Sequence, residues 1–129
     1  MTMLMETTAI DPGTMITLRD QLRADRKSVT MDIESTKSSM ASFFDSRRDV
    51  EVDDEHDPEG GTLAQQFAMS SALLENSRHH LDQINAALAK MSDGRYGSCE
   101  SCGVDISLQR LEVRPLAEHC IRCARLAIA

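Results

Sequence analysis

The sequence has very few aromatic residues: Trp is absent, and aromatic side chains make up only 3% of the 129 residues. Such a chain has few large anchors for a thick globular core, but it can bury Leu, Ile and Met along a seam between helices. It also lacks the run of ~18 apolar residues that a transmembrane helix needs. Residues 1–10 lack the charged start and apolar centre of a signal peptide. We therefore expect a cytoplasmic protein that makes no contact with a membrane.

Basic clusters are also missing from the chain. The formal net charge is −7, and no run rich in Lys or Arg is present to release counterions from DNA. Residues 49–59 contain seven acidic residues and no Lys or Arg: Asp49, Glu51, Asp53, Asp54, Glu55, Asp57 and Glu59. Because duplex DNA repels such a cluster, we expect no direct DNA binding.

Two amphipathic helices are predicted before residue 93. Asp11-Pro12 is typical of a helix start, because Asp caps the helix and Pro is tolerated at its first position. Spacings of three, four or seven residues then form one apolar stripe as far as about Arg47, through Met15, Leu18, Leu22, Val29, Ile33, Met40 and Phe43. A second stripe alternates steps of four and three, through Leu63, Phe67, Ser70, Leu74, Ser77, Leu81, Ile84, Leu88 and Met91.

The two stripes are joined by a polar link that contains Pro58, Gly60 and Gly61. Thr62 and Gln65 fit a capping box at the start of the second helix, and Asp93-Gly94 supplies a stop. Two amphipathic helices of similar length, joined in this way, bury their stripes against each other. The pattern therefore predicts an antiparallel helical hairpin.

The four cysteines form two matched pairs, Cys99-x2-Cys102 and Cys120-x2-Cys123, separated by 17 residues. This spacing is typical of a zinc site with four thiolate ligands. Four unrelated buried thiols, a disulfide pair and a redox Cys-x-x-Cys motif are the alternatives, and His119 is an alternative ligand to its neighbour Cys120. Nothing supplies an open coordination position or a general base. We therefore predict one structural zinc ion and no catalytic or cofactor-binding residue.

The predicted fold is thus mainly α-helical. A flexible tail occupies residues 1–10, and a long antiparallel two-helix coiled-coil hairpin occupies residues 11–93, with an acidic tip around residues 49–61. Residues 94–129 form a small four-Cys zinc-finger module that ends in a short helix.

The segment from Gly94 to Pro115, GRYGSCESCGVDISLQRLEVRP, and the closing Cys120-Ile-Arg-Cys123 together resemble the DksA/TraR group of bacterial transcription factors. The resemblance covers residues 57–126, and the first helix by pattern only. It implies a non-enzymatic, monomeric protein that binds RNA polymerase and inserts its hairpin tip into the secondary channel. There it would modulate open-complex stability and initiation. The acidic cluster itself, apart from the resemblance, indicates either a solvated loop or a tip that contacts a partner, and we expect the second, through Asp53, Asp54, Asp57 and Glu59.

The tip departs from the pattern of the family, whose best-studied tip reads Asp-x-x-Asp-x-Ala. Matching Asp57 to its start places Gly60 at the second Asp and Thr62 at the Ala. A shift by one residue instead places His56 first and Glu59 at the second acidic position.

A second departure concerns the alarmone ppGpp, which some members bind beside the polymerase through basic residues. The corresponding positions are Asn76, Gln83 and Ala124, and only Arg114 keeps its charge. We therefore expect little dependence on ppGpp. Two other functions remain open from the sequence: a zinc-stapled adaptor for a protein other than polymerase, and a zinc/thiol redox switch.

Overall fold

A computed structural model of the protein describes residues 10–50 and 60–128. Four helices lie in these ranges: α1 (Pro12–Val50), α2 (Gly60–Asp93), α3 (Leu108–Val113) and α4 (Ile121–Ile128). The predicted mainly helical fold, with two long helices and a short C-terminal one, is confirmed. The predicted tip contacts and the first nine residues of the predicted tail lie outside the described residues. None of the described helices has an apolar stretch long enough to cross a membrane.

Helix α1 begins where the sequence predicts. The Asp11 carboxylate accepts hydrogen bonds from the backbone N–H of Thr14 at 3.1 Å and from the Thr14 hydroxyl at 2.7 Å. These bonds lower the pKa of Asp11, the bond from the Thr14 side chain contributing most. The cap satisfies a backbone donor that has no partner inside the helix.

Helix α2 begins at Gly60, two residues before the predicted cap at Thr62. Terminal turns extend beyond a side-chain cap when the preceding backbone adopts helical angles, so boundaries shift by this amount. Its end agrees with the prediction. Gly94 has φ +77, a conformation that glycine adopts without steric cost, and its N–H donates to the carbonyl of Met91 at 3.3 Å.

The described residues form two compact units. Residues 10–26 and 83–128 form the first, and residues 27–50 and 60–82 form the second. Each unit thus pairs one part of α1 with one part of α2, as expected for an antiparallel hairpin. In the first unit Leu18 and Leu22 of α1 are buried, as are Ile84 and Ala87 of α2.

In the second unit the predicted stripes also face the seam, but their side chains are less deeply buried than those of the first unit. Val29 and Ile33 of α1 are each 8% exposed, whereas the stripe of α2 is only half-buried there, at Leu63, Phe67, Ser70, Leu74, Ser77 and Leu81. Thr36, which occupies a stripe position of α1, is half-buried as well. A seam that includes two serines and a threonine buries less apolar surface per turn, so this unit gains less stability from burial.

The module that follows α2 has a small core of its own, in which Tyr96, Cys99, Ile106 and Leu111 are buried. Gly97 has φ +96, and a Cβ there would lie 3.4 Å from Ile10 Cδ1 and 3.5 Å from Leu111 Cδ1. The backbone at Gly97 therefore forms the surface against which Ile10, the residue before the α1 cap, packs.

Ile84 is the most buried residue of α2, with 0% of its surface exposed. Replacing a buried Ile with Ala removes apolar contacts and leaves a cavity, at a cost of about 2–5 kcal/mol. We expect Ile84→Ala to lower the melting temperature, followed by circular dichroism at 222 nm, by several degrees. Asn76→Ala, at an exposed position of the same helix, is the matched control. Equal effects of the two substitutions would contradict the assigned seam.

Candidate metal centre

The first pair of cysteines lies on a tight turn stabilised by backbone hydrogen bonds. The N–H of Cys99 donates to the carbonyl of Val104 at 2.8 Å, and the N–H of Gly103 donates to the carbonyl of Cys99 at 2.9 Å. Gly103 has φ +81, which explains why glycine follows Cys102 directly. An isolated antiparallel bridge between Ser98 and Asp105 closes the turn. Cys99 and Cys102 are thereby presented on the same side of the loop.

The second pair lies at the start of α4. The N–H of Ala124 donates to the carbonyl of Cys120 at 2.9 Å, and the N–H of Cys123 approaches the Cys120 sulfur at 3.5 Å. One turn of helix therefore separates the two cysteines and places both sulfurs at its N-terminal end. A backbone hydrogen bond of 2.8 Å from Glu100 N–H to the Glu118 carbonyl joins the two pairs.

All four sulfur atoms converge on one small volume. The Sγ atoms of Cys99, Cys102, Cys120 and Cys123 lie within 4.8 Å of one another, and all four cysteines are free thiols. Zinc–sulfur bonds of ~2.3 Å in a tetrahedron require sulfur–sulfur separations of roughly 3.8 Å. The Cys102 and Cys120 sulfurs are 3.8 Å apart. The donor set therefore fits one tetrahedral zinc ion, whereas the separation is far longer than a disulfide bond.

The electrostatics of the thiols favour a cation. Burial opposes ionisation of Cys99, but hydrogen bonds from the backbone N–H groups of Cys120, Cys102 and Ser101 outweigh it and lower the pKa of this thiol to about 5. The N–H of Cys123 in turn lowers the pKa of Cys120.

Cys123 shifts in the opposite direction. Its hydrogen-bonding contacts with the sulfurs of Cys102, Cys120 and Cys99 raise the pKa of the Cys123 thiol to about 12. Without a cation, four neighbouring sulfurs thus retain protons between them, since thiolates this close repel one another. A divalent metal reverses this preference and allows every ligand to ionise.

The loop before Cys120 is held in place by side chains from elsewhere in the module. Arg110 Nε, on α3, donates to the carbonyl of His119 at 3.0 Å. The Tyr96 hydroxyl donates to the carbonyl of Pro115 at 2.7 Å, and burial raises the pKa of Tyr96 to about 12. His119 thus contributes a backbone carbonyl to the support of the site, and the cluster of convergent ligand atoms consists of the four cysteines.

An ion pair connects α2 to the first pair of cysteines. Lys90, in the last turn of the helix, is paired with Glu100 on the Cys99–Cys102 turn. The hydrogen bond and the charge of Lys90 lower the pKa of the Glu100 carboxyl. No sequence pattern singles out Lys90, Glu100 or Arg110 as residues of the site. The nine residues between Lys90 and Glu100 include a turn, so no helical periodicity relates the two side chains.

Comparisons with known proteins point to one group. Residues 94–127 match the family model of the prokaryotic dksA/traR C4-type zinc finger. "RNA polymerase-binding transcription factor DksA" from Salmonella typhimurium and the protein of the same name from Escherichia coli (strain K12) are each 40% identical over 63 residues, covering 49% of this chain and 42% of the relative. The homologue from Buchnera aphidicola subsp. Acyrthosiphon pisum is 36% identical over 66 residues, 51% of this chain and 44% of its own length.

The likeness in structure extends further along the chain. The solved structure of transcription factor DksA2 from Pseudomonas aeruginosa superposes with a TM-score of 0.75 and 26% identity, covering 91% of this chain and 84% of that one. The resemblance to the DksA/TraR group and the prediction of one structural zinc ion are confirmed. The chain matches about two-fifths of the length of the curated relatives from Salmonella typhimurium and Escherichia coli.

The metal centre makes a direct prediction about stability. Zinc binding by thiolates is part of the folding free energy of small modules, on the order of 10 kcal/mol at neutral pH. We expect Cys102→Ser to reduce zinc content, measured by elemental analysis, and to unfold the module while α1 and α2 retain most of the helical signal. Ser101→Ala, at the exposed position next to Cys102, is the control and should retain one zinc per chain. Native protein prepared without chelators and found to contain no metal would contradict the assignment.

Proposed function

We propose that this chain is a non-enzymatic bacterial transcription regulator that binds RNA polymerase. It inserts the tip of its hairpin into the secondary channel and modulates open-complex stability and initiation. The main support is the match over 91% of this chain with the solved structure of a transcription factor, together with relatives named for binding RNA polymerase. We extend to this chain the function for which those relatives are named.

In this proposal Cys99, Cys102, Cys120 and Cys123 are the zinc ligands. When bound, the ion supplies a fixed tetrahedral crosslink and no reaction chemistry, because four thiolates leave no position open for water or substrate. The crosslink fixes the N-terminal end of α4 relative to the Cys99–Cys102 turn. The ion pair between Lys90 and Glu100 connects that turn to α2. The protein thus presents a preformed surface, which reduces the ordering cost of binding a partner.

The acidic residues Asp53, Asp54, Asp57 and Glu59 are proposed as the contacts that act on polymerase. An acidic probe is complementary to a basic pocket or to the water shell of a bound Mg²⁺ ion in the partner. Modulation of initiation requires differential affinity: the factor must bind some polymerase–promoter states more tightly than others, or it shifts no population. The tip supplies that difference, while the rest of the protein supplies most of the docking area.

The remaining expectations follow from the same proposal. The protein acts as a cytoplasmic monomer, and it reaches the promoter through polymerase without direct binding to DNA. Its dependence on ppGpp is small, because Asn76, Gln83 and Ala124 carry no charge to attract a polyphosphate.

Binding to purified RNA polymerase tests the proposal most directly. We expect a stable complex of the zinc-loaded full chain with core polymerase, detected by native gel shift or fluorescence anisotropy. A second protein that occupies the secondary channel should displace it competitively. Failure of the competitor would exclude the secondary channel as the binding site. The absence of any complex, together with capture of a different protein from bacterial lysate, would favour the zinc-stapled adaptor.

The role of the tip is tested by measuring polymerase affinity and promoter output separately. We expect the double substitution Asp57→Asn with Glu59→Gln to abolish most of the change in promoter output while weakening polymerase affinity by less than about tenfold, or about 1.4 kcal/mol. The substitutions remove charge and leave side-chain size almost unchanged. Asp45→Asn, at an exposed position of α1, is the control. Unchanged transcription by the double variant, measured with polymerase saturated, would show that these carboxylates do not act on the enzyme.

A further inference from the structure

A groove in the first unit is lined by arginines. It is formed by Met15, Arg19, Arg23 and Arg26 of α1 and by Asn85, Leu88, Ala89, Met91 and Ser92 of α2, and its volume is about 370 Å³. We name this set of residues the arginine groove. Its volume falls within the range of pockets that bind small molecules, about 300–1,000 Å³.

The three guanidinium groups have little internal neutralisation. Arg19 is paired with Asp20 at 3.7 Å, a distance longer than a hydrogen bond, and its buried Nε has no hydrogen-bond partner among the described residues. Arg23 and Arg26 are exposed and form no ion pair within the part of the chain that the structure describes. A buried donor without a partner loses its hydration and gains nothing in exchange.

The spacing of the arginines makes this arrangement unfavourable in the free protein. Residues 19, 23 and 26 are separated by four and three positions, so they lie on one face of α1 as neighbours. Like charges at this spacing repel one another. Among the ion pairs of the described residues, only that of Asp20 involves this face, and it reaches Arg19 alone. The face therefore carries an excess of positive charge directed along the groove.

The rest of the groove is compatible with an anion. Asn85 and Ser92 contribute uncharged polar side chains, and Met15, Leu88 and Met91 contribute apolar walls. The carbonyls of Lys90 and Met91, at the electronegative end of α2, accept hydrogen bonds from the N–H groups of residues 94–96. Their repulsion of a bound anion is thereby reduced.

We propose that the arginine groove binds a small anion that carries two or more linked phosphate groups. Planar guanidinium groups match phosphate oxygens with paired hydrogen bonds, and three of them provide enough donors for more than one phosphate. A chain of linked phosphates fits the row of arginines along the helix better than a single carboxylate does. The site contains none of Asn76, Gln83, Arg114 and Ala124, and it does not depend on the proposed function.

Tripolyphosphate is the probe, titrated into the isolated, zinc-loaded full chain by isothermal calorimetry. Backbone NMR should show shift changes concentrated at residues 15–26 and 85–92 and small elsewhere. Replacing Arg23 and Arg26 together with Gln should weaken binding by at least about tenfold, because two charge-assisted contacts are lost. Both positions are exposed, so circular dichroism should show unchanged helicity. The double variant Arg78→Gln with Arg122→Gln removes the same charge from exposed positions outside the groove and should bind as the native protein does.

Other ligands distinguish the proposed chemistry from general attraction to negative charge. Orthophosphate should bind at least about tenfold more weakly than tripolyphosphate, since it engages fewer arginines. A single-stranded oligonucleotide that binds as tightly as tripolyphosphate would overturn the proposal in favour of nucleic acid. Tighter binding of an Asp-rich peptide would overturn it in favour of a protein partner. If the groove variant and the control variant lose the same amount of affinity for tripolyphosphate, binding depends on net charge alone. That result would also overturn the proposal.

Discussion

The need to hold four sulfur atoms within 4.8 Å of one another constrains the rest of the module. Ionised thiols at such distances repel one another, and the opposite pKa shifts of Cys99 and Cys123 express this conflict. A tetrahedral cation removes the conflict, but only if two separate loops present their sulfurs together. The glycine conformation at Gly103 and the start of α4 at Ile121 meet this requirement locally, and the bond from Glu100 to Glu118 meets it between the loops. The zinc ion and these backbone hydrogen bonds therefore stabilise the same geometry together, so that loss of the ion removes part of the folding free energy of the module.

The helices of the first unit depend on the module as well as on their own seam. A chain with so few aromatic residues buries Leu, Ile and Ala between its helices. Few side chains are fully buried, and the largest of them among the described residues are Leu22, Ile84 and Leu111. Contacts beyond the seam add to this limited burial. Ile10 packs at Gly97, and Lys90 is paired with Glu100. An exposed ion pair contributes only about 0–1 kcal/mol, so its main effect is to fix the direction of the turn that carries Cys99 and Cys102.

Sequence periodicity and cysteine spacing were sufficient to predict the helices and the sulfur cluster because both signals are local. The α2 stripe is buried or half-buried at all nine predicted positions, and the matched Cys-x-x-Cys pairs converge. The contacts of Arg110 with His119 and of Lys90 with Glu100 were not predictable, because each joins elements whose relative placement depends on tertiary packing. Ile10 was assigned to the tail for the same reason, since nothing in the sequence places it beside Gly97. The arginine groove was also missed: arginines at a helical spacing are typical of a solvated face, and only the structure shows the buried Nε of Arg19.

The negative charge of the chain is concentrated in one segment of its sequence. Outside residues 49–59 the chain contains 14 acidic residues, the total of 21 less the seven in that segment, against 14 Lys and Arg residues. The excess negative charge therefore belongs to the predicted tip, whereas the arginine groove lies in the unit formed by residues 10–26 and 83–128. Salt screens the interaction between exposed charges that are more than about 8–10 Å apart. The arginines that line the groove are therefore the charges that act most strongly on an anion bound in it. Such an anion would stabilise the unit that binds it by mass action. It would influence initiation only if polymerase-bound and free protein differ in their affinity for it, because coupling between two sites requires that difference and is reciprocal.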